Sequence, residues 1–323
     1  MPRPPGDPRV LLGRRVSLRH RLPSPGPGGR YSDAVGELDQ DRERWLVHTR
    51  RGPVVVDPAD VVAVREVPPA RPRRAPLGEV AALERVCARA WPAPVTRPLG
   101  EWLLRAAGGF TGRANSALVI ADPGLPVPDA LAAVVHFAAA HGVAPLAQVA
   151  QTTPWEAAVR RAGWVVDESH PVSVRVARLP DIPAGSRAEA AIEIADAPTS
   201  EWWRLVAGTA RPSETQRAVL GSGLVGFGLA RIDGEVVGAV RAALVDEWVH
   251  LARLTIGQAW RRRGLGRALT VAAAGWAAQH GARHAVLQVS QDDAAADRLY
   301  SGLGFTEHHR YRYWAPPVSG SGA

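Results

Sequence analysis

Arg261, Arg262, Arg263, Gly264, Leu265, Gly266 and Arg267 form a glycine-punctuated arginine run. It follows a strand pattern (Val249, Leu251, Leu254, Ile256), a turn over 257–260, and opens a predicted helix over 268–280. The start of a helix offers backbone amides with no intrahelical partner and the positive end of the dipole, which together suit an anion. Gly264 and Gly266 would let a pyrophosphate approach the backbone, and the guanidiniums would add charge. Taken alone, a glycine pair before a helix is equally a tight turn. Further on stands Asp293-Ala-Ala-Ala-Asp297-Arg298-Leu299-Tyr300, ending in Gly304-Phe305. It places a carboxylate, a phenol and a glycine-aromatic stop on one short helix.

Other reactive residue types point elsewhere. Cys87, the sole cysteine, sits in an apolar helical pattern and reads as a small buried hydrophobe; no disulfide within the chain and no cysteine-rich zinc site can form. His308 and His309 are adjacent, so on a strand they should face opposite ways, and His136 and His141 are five apart on a helix. No metal site is expected. Trp202 and Trp203 read as packing residues of a helix or, less simply, as the lining of an acceptor cleft.

The elements that must position these residues belong to a chain of 323 residues, about two domains by a prior of about 150 residues each. Apolar residues are 46% and charged ones 22%, which fits a globular protein and excludes a disordered chain or a coiled coil. The 39 basic side chains are all arginine, against 31 acidic ones, for a net charge of +8. A basic balance suits an anionic partner, yet abundant Ala, Gly, Arg and Pro with no lysine reads first as compositional bias. The proline-rich start has no apolar core of a secretory signal, and no apolar run approaches the roughly 20 residues that span a bilayer. The expectation is a cytoplasmic protein with no membrane partner.

Three segments follow. Residues 10–67 read as short strands (15–21, 43–49, 53–56, 61–64), with a helical turn at 57–60 and a loop at 24–29, a small SH3-like β-barrel. Residues 68–76 have a linker composition. Residues 77–182 mix helices (78–90, 129–141, 155–162) with strands (102–105, 117–120, 172–176), and 190–316 form a further α+β unit before a Ser/Gly tail. Both larger segments end in a helix, a glycine-aromatic stop and a strand, which reads as an internal duplication with Val159 opposite Tyr300.

Arg261-x-x-Gly264-x-Gly266 after a strand, followed by Asp293-x-x-Ala296-x-x-Leu299-Tyr300-x-x-x-Gly304-Phe305, resembles the GNAT N-acetyltransferase family over about residues 190–314. The whole order, including Phe110-Thr-Gly-Arg-Ala-Asn-Ser116, is similar to an actinobacterial tandem-GNAT family with an N-terminal barrel; mycothiol synthase shares the tandem layout without the barrel. The resemblance implies an α+β fold: the barrel, then two GNAT-type mixed-sheet units, the C-terminal one complete and the middle one a degenerate copy without the arginine run. It implies direct transfer of an acetyl group from acetyl-CoA to an amine, small molecule or protein, in a ternary complex.

By the same resemblance the backbone of Leu254, Thr255 and Ile256 would pair with the pantetheine arm and a backbone N–H near Leu254 would hold the oxyanion. The amides of Arg262–Arg267 would take the pyrophosphate. Tyr300 would protonate the leaving thiolate. Asp293 stands where the family has asparagine, so a cofactor hydrogen bond there loses its amide donor. Glu247 is the nearest candidate base, with Asp246, Asp233 and Glu235 as competitors; each also reads as a solvated turn residue. Two other readings stay open: an idle acyl-CoA sensor or adaptor, and nucleic-acid association through the barrel and the linker arginines Arg71, Arg73 and Arg74. Oligomeric state is not legible.

Overall fold

The structure, a computed structural model, describes residues 8–26, 29–49, 52–67, 75–183, 185 and 188–317. The linker arginines, the Ser/Gly tail and most of the proline-rich start lie outside the described residues. The chain divides between residues 73 and 74 into two compact units.

The first unit is β1 (Arg15–Gly26), β2 (Gly29–Asp41), β3 (Arg44–Thr49), β4 (Gly52–Val56) and β5 (Val61–Glu66), an antiparallel sheet ordered β4-β3-β2-β1-β5. All five strands contribute to one core, through Val16, Leu18, Leu38, Trp45, Val56 and Val64. Two details differ from expectation. The proline- and glycine-rich stretch read as a loop extends β1, whose Gly26 pairs with Gly29 of β2. The polar-looking β2 was not anticipated, because its inward side is only Ala34, Gly36 and Leu38. Gly36 is required there, since a Cβ would lie 2.1 Å from the His48 carbonyl oxygen.

The second unit runs α1 (Leu77–Ala90), β6 (Val95–Leu99), β7 (Trp102–Ala106), β8 (Ala117–Val119), α2 (Val127–Ala140), β9 (Ala147–Ala150), α3 (Pro154–Arg161) and β10 (Val165–Arg178). It continues with β11 (Ala191–Ala195), α4 (Ser200–Ala207), α5 (Glu214–Gly221), β12 (Leu224–Ile232), β13 (Glu235–Val245), β14 (Trp248–Ile256), α6 (Leu265–Gln279), β15 (His284–Ser290), α7 (Ala294–Ser301) and β16 (Thr306–Ala315). All eleven strands form one sheet, ordered β11-β12-β13-β14-β15-β10-β16-β9-β8-β7-β6.

Among the described residues only β8 with β9 and β14 with β15 pair in parallel. Between these pairs the halves exchange their last strands. β10 lies between β15 and β16, and β16 lies between β10 and β9. Segments 77–182 and 190–316 are therefore continuous through one set of hydrogen bonds. Val174 and Val286 bury together with Leu83 and Cys87 of α1, so α1 roofs the strands of the other half. The Cys87 thiol is pushed well up by burial, then by Glu84, in keeping with a packing role.

The helix endings of the halves also match. Gly163 and Gly304 both take φ 85°, followed by buried Trp164 and Phe305, and Val159 and Tyr300 are both buried. A register shift in the pairing of β10 with β16 corrects the expectation for the histidine pair. The irregular backbone brings the Nδ1 atoms of His308 and His309 to 2.8 Å, instead of sending the rings to opposite faces.

Candidate active site

The parallel pairing of β14 with β15 covers only Trp248–Leu251 against His284–Leu287. Beyond it the strands part, and no strand pairs with Ala252–Ile256 on that side among the described residues. The cause is a bulge. β13 partners shift between Ala239 and Arg241, and Arg253 takes φ 55°. Opposite it, the Val240 carbonyl accepts from Trp202 Nε1 at 3.1 Å. Trp202 and Trp203 are buried and pack with Phe227, so they support the bulge from behind.

Past Ile256 a short turn, Gln258–Trp260, leads to α6. Gly264 precedes it in the left-handed conformation, φ 80°, and no side chain caps the helix. Its first-turn amides thus stand beside the parted strands. The two glycines serve different ends. Gly264 supplies the left-handed turn. Gly266 permits close packing, since a Cβ there would sit 3.3 Å from Leu299 and 3.6 Å from Leu254.

The arginines of the run do not act as one patch. Arg261 Nε donates to the Ile256 carbonyl at 3.4 Å, Arg263 stacks over Trp260 at 4.7 Å, and Arg267 Nη1 donates to the Gly302 carbonyl at 3.1 Å, tying α6 to the end of α7. Arg262 is exposed with φ 67°. Leu265 puts its side chain into the core, leaving only its backbone at the surface of the turn. Leu254, Thr255 and Ile256 are half-buried along the parted edge.

Tyr300 is 9% exposed, in the core with Leu265 and edge-on to Phe305 at 5.6 Å. Burial, and then Asp293, push its phenol above the usual value, so it holds its proton. Its hydroxyl has no hydrogen-bond partner among the described residues. Asp293 is the N-cap of α7, accepting from Ala295 N at 3.1 Å and Ala296 N at 2.9 Å.

Glu247 is not brought to this place. It lies in the exposed turn that begins β14, seven residues before Leu254, about 23 Å along an extended strand. Its carbonyl accepts from Arg283 N and His284 N. Asp246 is spent on Arg89 at 2.6 Å, and Asp233 and Glu235 are exposed at the hairpin beyond Gly238, which pairs with Ile256. No cluster of His, Cys, Asp and Glu able to hold a metal occurs among the described residues.

One side of the parted strands is closed by the other half of the unit. Asn115 ties the loop after β7: its Oδ1 accepts from Ala107 N and Gly109 N, and its Nδ2 donates to the carbonyls of Phe110 and Thr111. Arg113 is thereby aimed at β15, where Nη1 donates to Gln288 Oε1 at 2.5 Å. Arg113, Arg241 and Arg253 gather on the Trp91 ring at 4.5, 5.3 and 5.6 Å. Sequence reading singled out 110–116 only as a phrase, without a role. Nothing local in Trp91, Arg241 or His250 marks them, since they meet only across the sheet.

Two family descriptions match: Probable histone acetyltransferase Rv0428c C-terminal over residues 78–314, and Rv0428c N-terminal Sm-like domain over residues 10–65. The chain is 31% identical over 317 residues to the Probable histone acetyltransferase Rv0428c of Mycobacterium tuberculosis, covering 94% of each chain. It is 41% identical over 78 residues to a mycothiol acetyltransferase of Amycolatopsis mediterranei, covering 24% of this chain and 22% of that one. A GCN5-related N-acetyltransferase from Kribbella flavida has a similar fold, with a TM-score of 0.52 at 20% identity over 76% of this chain and 98% of that one. The small N-terminal sheet is of the Sm-like kind, the larger unit has a GNAT fold, and the chain belongs to the Rv0428c-type GNAT acetyltransferase family, an acyltransferase.

Proposed function

We propose that the protein transfers the acetyl group of acetyl-CoA directly to an amine within a ternary complex, at the cleft between β14 and β15. The single observation that carries this reading is the parted strand pair next to an uncapped helix start, with a protonated tyrosine in the adjoining core. Acetyl-CoA, when bound, supplies a thioester carbonyl and a thiolate leaving group. The residues fit it. Past the bulge, Leu254–Ile256 present a strand edge on which no strand lies among the described residues, suited to an amide-bearing chain. The amides of Leu265, Gly266 and Arg267 suit a pyrophosphate, with Arg261, Arg262 and Arg263 close by.

In this mechanism the backbone N–H at Leu254 stabilises the oxyanion, and Tyr300 delivers a proton toward the sulfur. Arg267 and Asp293 act by position, the first by holding α7 and the second by capping it. Glu247 is too far along β14 to take the proton of the amine, so the geometry supports its loss to solvent rather than to that carboxylate. The first half carries no second acetyl-CoA site. After β8 it has Asp122-Pro123-Gly124 in place of an arginine run, and Val159 offers no hydroxyl.

The test is acetyl-CoA affinity by calorimetry. Gly264→Glu adds bulk, a negative charge and an unfavourable φ to the loop and should weaken binding at least tenfold; Arg262→Glu, exposed and free of packing, should do so by a smaller factor. Unchanged affinity in both folded variants would overturn the site.

A further inference from the structure

Arg113, Arg241 and Arg253 converge on one tryptophan, yet no carboxylate among the described residues pairs with any of them. The nearby acids are committed elsewhere. Glu84 accepts from Gln148 Nε2 at 2.7 Å and lies 2.8 Å from His309 Nε2, and Asp246 pairs with Arg89. The three cations do not divide their work equally.

Arg241, 0% exposed, is held by backbone at each nitrogen: Nε donates to the Leu220 carbonyl at 2.7 Å, Nη1 to that of Ala90 at 2.9 Å and Nη2 to that of Val219 at 3.5 Å. It ties the ends of α1 and α5 together. Arg113 spends one donor on Gln288. Arg253, in the bulge one residue before Leu254, has a guanidinium with no hydrogen-bond partner among the described residues, and its Nε is sealed from water.

Beside them stand His250, 0% exposed with neither ring nitrogen in a full hydrogen bond, and Gln288, whose buried Nε2 makes none although its amide lies close enough to His250 to favour the charged ring. Burial, then Arg113 and Arg241, hold the His250 imidazole far below its usual value, and burial, then Arg113 and Arg253, lower Arg241. One buried and two half-buried guanidiniums gathered on one ring, with no carboxylate paired to them, make a place short of negative charge.

We infer that Arg253 and Arg113 form a subsite for an oxyanion on the acceptor, so that the substrate is a small amine that also carries a carboxylate or a phosphate. This inference rests on the acetyltransferase reading above for its reaction. The anion would lie beside the bulge, which places the amine of the same molecule near Leu254. An Arg pair reads either oxyanion through charge-assisted hydrogen bonds, and the same field disfavours a cationic lysine-rich tail.

The experiment measures CoA release at saturating acetyl-CoA for the wild type, Arg253→Met and Arg113→Met. Acceptors are glycine, β-alanine and γ-aminobutyrate beside their methyl esters, phosphoethanolamine beside ethanolamine, and a lysine-rich peptide. The wild type should favour an oxyanion-bearing amine over its uncharged partner by about 10- to 100-fold in kcat/KM. Whether the carboxylates or the phosphate gain identifies the source. Either folded variant should reduce the preference, taken as the ratio of the two acceptors within that variant, to about threefold or less.

Equal or better use of the uncharged partners or of the peptide, or a preference unchanged in both variants, would overturn the inference. A second arm separates it from the reaction itself. Protein saturated with acetyl-CoA is titrated with N-acetyl-β-alanine and with inorganic phosphate, and the melting temperature is followed. A rise in the wild type that Arg253→Met abolishes upholds the subsite even if no amine is turned over; no rise together with no turnover overturns it.

Discussion

Tyr300→Phe separates chemistry from packing at the proposed centre. The change removes one oxygen from a ring that is 9% exposed and packs on Phe305, and it breaks no hydrogen bond among the described residues. The hydroxyl is not among the sealed polar atoms that lack a partner, so it keeps water contact and the phenylalanine should change stability by less than about 1 kcal/mol. A proton donor is worth about 10²–10⁴ in rate, or about 3–5 kcal/mol of barrier. The variant should therefore lose kcat by at least about 100-fold, with KM for acetyl-CoA and the melting temperature nearly constant. Steady-state CoA release and a thermal melt of the full chain read both. The pH profile adds a sign. Burial, then Asp293, raise the phenol above its ordinary value of about 10, so Tyr300 keeps its proton until the pH passes that raised value. The wild-type rate should show no basic decline between pH 7 and about 10. A kcat within threefold of wild type, or a rate that falls through pH 8–9 with a phenol titration lost in the variant, would refute the reasoning.

Arg241→Met leaves the carbonyls of Ala90 and Leu220 without a donor and should cost about 2–4 kcal/mol by urea denaturation, after the relief of repulsion from Arg113 and Arg253 is set against two charge-assisted bonds. A loss under about 1 kcal/mol would mean that the repulsion cancels the bonds. Asp293→Ala should cost about 1 kcal/mol and Asp293→Asn only a few tenths, since asparagine caps as well; equal losses in thermal melts would show that the carboxylate does more than cap α7.

Legibility followed the range of the interactions. α1 and α3 were readable to within a residue, and the stops of α2 and α7 nearly so, because apolar spacing, Pro92 and the glycines after α3 and α7 act within a few residues. The glycine-punctuated arginine run was readable for the same reason, although its glycines proved to differ in task, one for conformation and one for contact with Leu254 and Leu299. Strands without strong alternation were not. β2 buries a glycine and an alanine, β6 carries Pro98 at the sheet edge, and β9 is only Ala147–Ala150. Glu247 looked close to the central strand in sequence. The direction of β14 carries it away from the opening, a fact that only the parallel register with β15 reveals.

The amino-acid order alone determined the family motifs, the α+β character and the separation of a small β unit from a larger one, because caps, turns and short-period apolar patterns are local. Only the tertiary structure decided where the chemistry can occur. The exchange of β10 and β16 couples the two halves, the bulge at Arg253 opens β14 from β15, and the loop at Asn115 delivers Arg113 to Gln288. Each depends on pairing between residues far apart in sequence, whose free energy resides in contacts that no local pattern encodes.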